Sequence, residues 1–219
     1  MTYLIISYVY FSILLLSILF SFLVHFGKNV PSYLKYFTPF LLLTFAVELT
    51  GAIIHRKSLN TSPLYNFFST IEFVFYFGIL FQIIRNRIVK KSIVFSIVLY
   101  PLIAFTNIIF LQGPYRFHTY TYSIGVFLIV GFCAFYFNEM MKLPVFPNLR
   151  REPSFWIIFA LFFYYGASLP VWAVNNLMYD LSYDTLSYLG ILLLSLNYIL
   201  YSLFTFAFLC GIKVRKTTS

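Results

Sequence analysis

The chain has 219 residues, 61% of them hydrophobic, 23% aromatic and 10% charged, where an average soluble domain carries about 25% charged residues. That is more apolar surface than one soluble core of this length buries, so the composition excludes an ordinary soluble domain and places the chain in lipid. A formal charge of +9, from 15 Lys and Arg against 6 Asp and Glu, raises nucleic acid as a partner until the cations are located.

A bilayer-crossing helix needs roughly 20 mostly apolar residues. Seven such stretches follow one another: 3–24, 36–54, 63–84, 92–111, 118–138, 154–175 and 185–212. They predict an all-α polytopic membrane protein, a seven-transmembrane-helix bundle forming one domain over 1–219, with no stretch expected to fold as a soluble module. The first stretch has no cation in Met1-Thr2-Tyr3-Leu4 and no small-residue cleavage site after Phe20-Ser21-Phe22, so it reads as a membrane helix and not as a signal peptide.

The second stretch carries Thr44, Glu48, Gly51 and His55 at steps of four, three and four, and the third carries Tyr65, Ser69, Glu72 and Tyr76 in the same rhythm. Such spacing lines one face of a helix. Ser62-Pro63 suits the start of the third helix, where a missing N–H is harmless. At about 1.5 Å per residue, Glu48 lies roughly 10 Å and Glu72 roughly 13 Å below the facing ends of their helices. Helices joined by a short link pack antiparallel, so the two carboxylates are expected at similar depth. Ionisable groups in a span are expensive and mark function by default.

The fourth stretch contains Pro101, where a kink is expected, and Asn107 near its end. His118, Tyr122 and Gly125 line the fifth. The sixth opens at Pro153, carries Pro170 inside and presents Tyr165, Ser168, Trp172 and Asn175, with Asn176 beside it. Asp184 reads as the N-cap of the seventh, which presents Tyr188, Ser195, Tyr198 and Ser202.

Twelve of the fifteen cations fall on one side of these spans: Lys28 and Lys35; Arg85, Arg87, Lys90 and Lys91; Lys142, Arg150 and Arg151; Lys213, Arg215 and Lys216. By the positive-inside rule the N-terminus is outside and the C-terminus cytoplasmic. The charge then records orientation and attraction to anionic head groups, with no nucleic-acid partner required. The basic turns Arg85, Arg87, Lys90, Lys91 and Arg150, Arg151 become candidates for lipid or cytoplasmic-protein contact. Cys133 and Cys210, toward the cytoplasmic ends, read as small packing residues.

Most of the polar residues lie in the predicted outer half of the spans, which points to an outward-facing polar pocket containing Glu48, Glu72, Asn107, His118, Asn175 and Asn176. The competing reading is interhelical hydrogen bonding, a routine device in membrane bundles. No metal or other cofactor is expected. The three histidines are too few for the usual ligand sets of membrane zinc hydrolases. The last span holds no lysine before Lys213 for a retinal Schiff base, and neither His-Glu-x-x-His nor Gly-x-Ser-x-Gly occurs. Enzymatic activity is therefore disfavoured, and a proton-coupled or small-solute transporter and a structural subunit remain as alternatives.

Ser62-Pro63-Leu64-Tyr65-Asn66 running into Ile71-Glu72-Phe73, then Asn107 to Gln112-Gly113, Pro153-Ser154-Phe155-Trp156-Ile157, and Leu196-Asn197-Tyr198-Ile199-Leu200-Tyr201 to Phe208-Leu209-Cys210 together resemble a family of small bacterial seven-span proteins. That family is similar to the membrane-embedded sensing portion found with sensor histidine kinases. The resemblance implies a sensor or accessory protein of the bacterial inner membrane whose output module is a separate chain.

Overall fold

All seven apolar stretches form helices. The structure, a computed structural model, describes the backbone of residues 2–27, 30–142, 148–177 and 183–217, and the side chains of these apart from 2–7, 172–177, 183–187 and 213–217. Helix α1 spans Thr2–His25; a single turn, α2 (Ser32–Lys35), leads into α3 (Phe37–Arg56). Then come α4 (Ser62–Ile83), α5 (Arg87–Thr106) with a π-helical turn Asn107–Leu111, α6 (Thr119–Met141), a 3₁₀ turn Leu149–Arg151, α7 (Pro153–Leu177) and α8 (Tyr183–Thr217). No strand occurs among the described residues. Seven segments are long and apolar enough to cross a membrane: Tyr8–His25, Ser32–Arg56, Ser62–Ile83, Arg87–Leu111, Thr119–Met141, Pro153–Val171 and Tyr188–Ile212. This is the architecture of a multi-pass membrane protein.

Three boundaries differ from the sequence expectation. Helix α5 begins at Arg87 and not at 92, because the Asn86 side chain accepts the N–H groups of Ile88 and Val89 and caps it. Helix α6 begins at Thr119, which leaves His118 in the connection just ahead of the span. Asp184 falls inside the first turn of α8 and not before it. Helices α5 and α7 both run on through their prolines, Pro101 and Pro170.

The end of α3 is a Schellman cap. The Leu59 N–H donates to the Ile54 carbonyl at 3.2 Å and the Ser58 N–H to the His55 carbonyl at 2.9 Å, closing the helix through a left-handed residue. That residue is Ser58, with φ of 56°, a conformation that glycine adopts without steric cost. Ser58→Gly is expected to stabilise the protein by up to about 1 kcal/mol, read as a raised Tm in detergent.

Helix faces that the protein does not cover are apolar. Along α5, Phe95, Val98, Leu102 and Phe105 are exposed at helical spacing, while Ile93, Ser96, Tyr100 and Ala104 are buried. A stripe of exposed phenylalanine, valine and leucine is a face for hydrocarbon and not for water.

The chain forms two compact units, Met1–Leu41 with Met140–Ser219, and Leu42–Glu139. In the first, α8 packs on α1 and on α7. Phe37 sits edge-on to Phe204 and Phe208 at 5.0 and 5.6 Å, and Trp156 meets Phe206 at 4.6 Å. In the second, α4 packs on α5. Its core centres on Phe73, whose ring lies 5.0 Å from Tyr100 and 5.1 Å from Tyr122. Cys133 and Cys210 are buried, one in each unit.

Candidate functional site, a buried polar cluster in the Leu42–Glu139 unit

The polar residues of this unit converge where the connection 112–118 returns the chain from α5 to α6. Asn66, in the second turn of α4, holds that connection by its backbone. Its Nδ2 donates to the carbonyls of Arg116 at 2.8 Å and Pro114 at 3.3 Å, and its Oδ1 accepts the His118 N–H at 3.0 Å. A primary amide supplies two donors and one acceptor in a fixed fork, which is the combination this strand of backbone requires. Asn60 adds a further bond at the rim, donating to the Tyr115 carbonyl at 2.7 Å. Gly113 makes the turn with a left-handed φ of 77°.

His118 lies at the centre and is fully buried. Its Nε2 is 2.7 Å from the Ser69 hydroxyl and its Nδ1 is 2.6 Å from the Thr121 hydroxyl. Both hydroxyls also have backbone carbonyls to donate to: Tyr65 at 2.7 Å for Ser69, and His118 itself at 3.2 Å for Thr121. Burial lowers the His118 pKa to about 4, so the ring is neutral at pH 7 and bridges α4 and α6 as an uncharged group.

Asn107, the first residue of the π turn, extends the cluster. Its Nδ2 donates to Gln112 Oε1 at 2.8 Å and to Thr121 Oγ1 at 3.1 Å, and Gln112 Nε2 donates to Thr119 Oγ1 at 2.9 Å. The wide turn is closed by the Gln112 N–H on the Asn107 carbonyl at 2.9 Å. Such turns are frequent at functional sites.

The His118 pKa carries a pH dependence. An unfolded histidine titrates near 6.5, so as pH falls from there toward 4 the unfolded chain takes up a proton that the folded chain refuses. Stability from this group is complete above pH 6.5, declines between about 6.5 and 4, and is level below. The fall in Tm between about pH 7 and pH 4.5 is expected to be smaller in His118→Asn than in the wild type.

The predicted pocket residues fall into four sets. Asn107 and His118 join through Thr121. Glu48 is half-buried on α3 and accepts a hydrogen bond from the Tyr65 hydroxyl at 3.3 Å; a Cβ on Gly51 would lie 2.5 Å from that hydroxyl, so the glycine makes room for it. The two polar stripes on α3 and α4 therefore face each other. Glu72 is half-buried two turns beyond Tyr65 on α4, the helix that packs on α5. Asn175 and Asn176 lie in α7, and their side chains fall outside the described residues.

Of the basic residues, Arg85, Arg87, Lys91, Arg150 and Arg151 are exposed. Lys90 is half-buried, its Nζ lying 4.9 Å above the Phe81 ring. The turn before α5 is fixed by the Arg85 N–H, which donates to Glu139 at 3.1 Å. The 3₁₀ turn is fixed at the Arg150 carbonyl by the Trp156 indole N–H and the Cys210 thiol, both at 3.3 Å.

The residues missed at the sequence level are Asn66, Gln112, Thr119 and Thr121. The run Gln112 to Thr121, with an amide, a histidine and two threonines at a predicted helix start, was the available signal. Asn66 gave none, because its partners lie about fifty residues away. Compared with known proteins, the chain matches no protein-family model, no curated protein and no solved structure.

Proposed function

We propose that this chain is a sensor-like or accessory protein of the bacterial inner membrane, with its N-terminus outside and its C-terminus cytoplasmic. In this reading the polar end of the Leu42–Glu139 unit faces outward and receives a small ligand, and the signal passes to a separate cytoplasmic protein through the basic turns at Arg85–Lys91 and Arg150–Arg151. The observation that carries it is the hold of α4 on the 112–118 connection. Asn66 and Ser69 engage Arg116 and His118, so a change at this end is felt along α4, whose other end leads into the basic turn. A sensor needs two arrangements with different ligand affinity, and a helix engaged at one end provides a rigid lever between them.

The test is copurification of the full chain from native membranes with cross-linking from cysteines placed at Arg87 and Arg150. The reading expects one cytoplasmic partner whose cross-linking changes in Glu48→Gln and Glu72→Gln. A transporter is the second reading, favoured by Glu72 in the middle of a span; solute or proton flux in proteoliposomes that Glu72→Gln abolishes would replace the sensor reading with it. A partner that binds identically in both glutamine variants would indicate a structural subunit.

A further inference from the structure

The donors and acceptors of the cluster have fixed directions, and following them leaves one atom over. The Tyr120 backbone N–H can only donate, and it points at Gln112 Oε1 at 3.3 Å, so the Gln112 atom there is its oxygen. The Asn107 atom 2.8 Å from that oxygen must then be its nitrogen. Both protons of that nitrogen are used, on Gln112 and on Thr121. The remaining atom, Asn107 Oδ1, is a carbonyl oxygen on a residue only 2% exposed, and it has no donor among the described residues. Its neighbours in the cluster are all engaged: Asn66 through both ends of its amide, His118 through both ring nitrogens, and Ser69, Thr119 and Thr121 through their hydroxyls.

Buried amide oxygens are rarely left without a donor, and each that is calls for a specific cause, of which strain, a catalytic role and a bound water or ion are the usual ones. We propose that Asn107 Oδ1 is the docking atom of a small molecule that presents an O–H or N–H donor. Acceptor-only groups such as a carboxylate or a phosphodiester have nothing to offer this atom, so the site selects donors. The π turn assists, because Asn107 spends its own carbonyl on Gln112 five residues on, and one turn earlier the buried residue on this face is the small Ala104. The donor has two sources, a resident water or a hydroxyl- or ammonium-bearing solute from outside. This inference deepens the sensor reading by naming the ligand chemistry and rests on that reading only for the ligand's role. Occupancy is measured without any signalling readout, so the two fail separately.

The experiment is solid-state NMR of the uniformly ¹³C,¹⁵N-labelled full chain in bilayers, with magnetisation passed to side-chain carbonyl carbons from water protons, and then in D₂O from the protons of added n-propanol. Asn66 is the internal control, since it is equally buried and its amide is taken up by protein groups. The proposal expects the Asn107 carbonyl carbon to receive magnetisation at least several-fold faster than that of Asn66. Transfer from water identifies a resident water, and transfer from n-propanol identifies a solute site. Equal, slow transfer to both carbons from both sources overturns the proposal, as does an Asn107 oxygen found bonded to a protein N–H or O–H.

Discussion

Asn66→Leu is expected to destabilise the protein by about 2–4 kcal/mol and to open the 112–118 connection to proteolysis. Leucine keeps the branched outline of asparagine, though with bulkier methyl ends, and offers neither donor nor acceptor, so the His118 N–H and the Arg116 carbonyl lose their partners inside the unit. A buried group left without its partner costs about 1–3 kcal/mol, more than the roughly 0.6 kcal/mol of an average side-chain hydrogen bond between membrane helices, because backbone that is already packed has no second partner to find. Two variants separate this cause from general damage. Asn66→Asp keeps the acceptor for His118 but turns a donor into an acceptor facing the Arg116 carbonyl, and it should lose nearly as much as leucine. Asn60→Ala removes a bond of similar length to the Tyr115 carbonyl and the acceptor of the Ser62 N–H at the start of α4, but both at an exposed rim. Water replaces both there, so its cost should stay within about 1 kcal/mol. Equal losses at Asn60 and Asn66 would show that burial is not what makes Asn66 important.

The contrast between these two asparagines also explains what sequence could reveal. Apolar length and helical period act along one helix at a time, and they located all seven spans and the facing stripes of α3 and α4, where Tyr65 meets both Glu48 and Gly51. The end of a helix set by a side-chain cap was harder to see: four cations between 85 and 91 resemble a loop, yet Asn86 starts α5 among them. The polar cluster was harder still. Asn107 and His118 drew notice because polar groups in apolar stretches are costly, but their chemistry depends on partners far off in sequence. Asn66 carried no signal along its own helix, because its fork closes only on the backbone of 114–118. For the same reason His118 changed character. As a residue of a span it suggested a ligand contact, whereas its two hydroxyl partners make it a bridge between helices, and the atom left open belongs to Asn107.

Gly125→Ala should lower stability by about 1–3 kcal/mol, the usual range for forcing a methyl group into a filled core. An alanine Cβ at this position would lie 2.7 to 2.8 Å from three atoms of the Phe73 ring. That ring cannot step aside: it is fully buried and held at 5.0 Å by Tyr100 and 5.1 Å by Tyr122. Gly51→Ala poses a nominally closer contact, 2.5 Å, but with the hydroxyl end of the half-buried Tyr65, which can swing away. Its stability loss should stay below about 1 kcal/mol, the order of one modest hydrogen bond, while the Tyr65 to Glu48 bond is broken. Tyr65→Phe should then have the same effect as Gly51→Ala on any activity that uses Glu48, and the double variant should add nothing to either, since all three remove one interaction. Gly131→Ala, where no described atom stands within 4 Å of the new carbon, supplies the baseline and should gain up to about 1 kcal/mol from helix propensity. If Gly125→Ala follows Gly131→Ala upward, the Phe73 ring has room to move and the core of the Leu42–Glu139 unit is looser than its ring distances imply. If it falls as expected while Gly51→Ala holds, tight packing around Phe73 and adjustable contact around Glu48 are separate properties of one unit, and the adjustable one is where a ligand-driven change can begin.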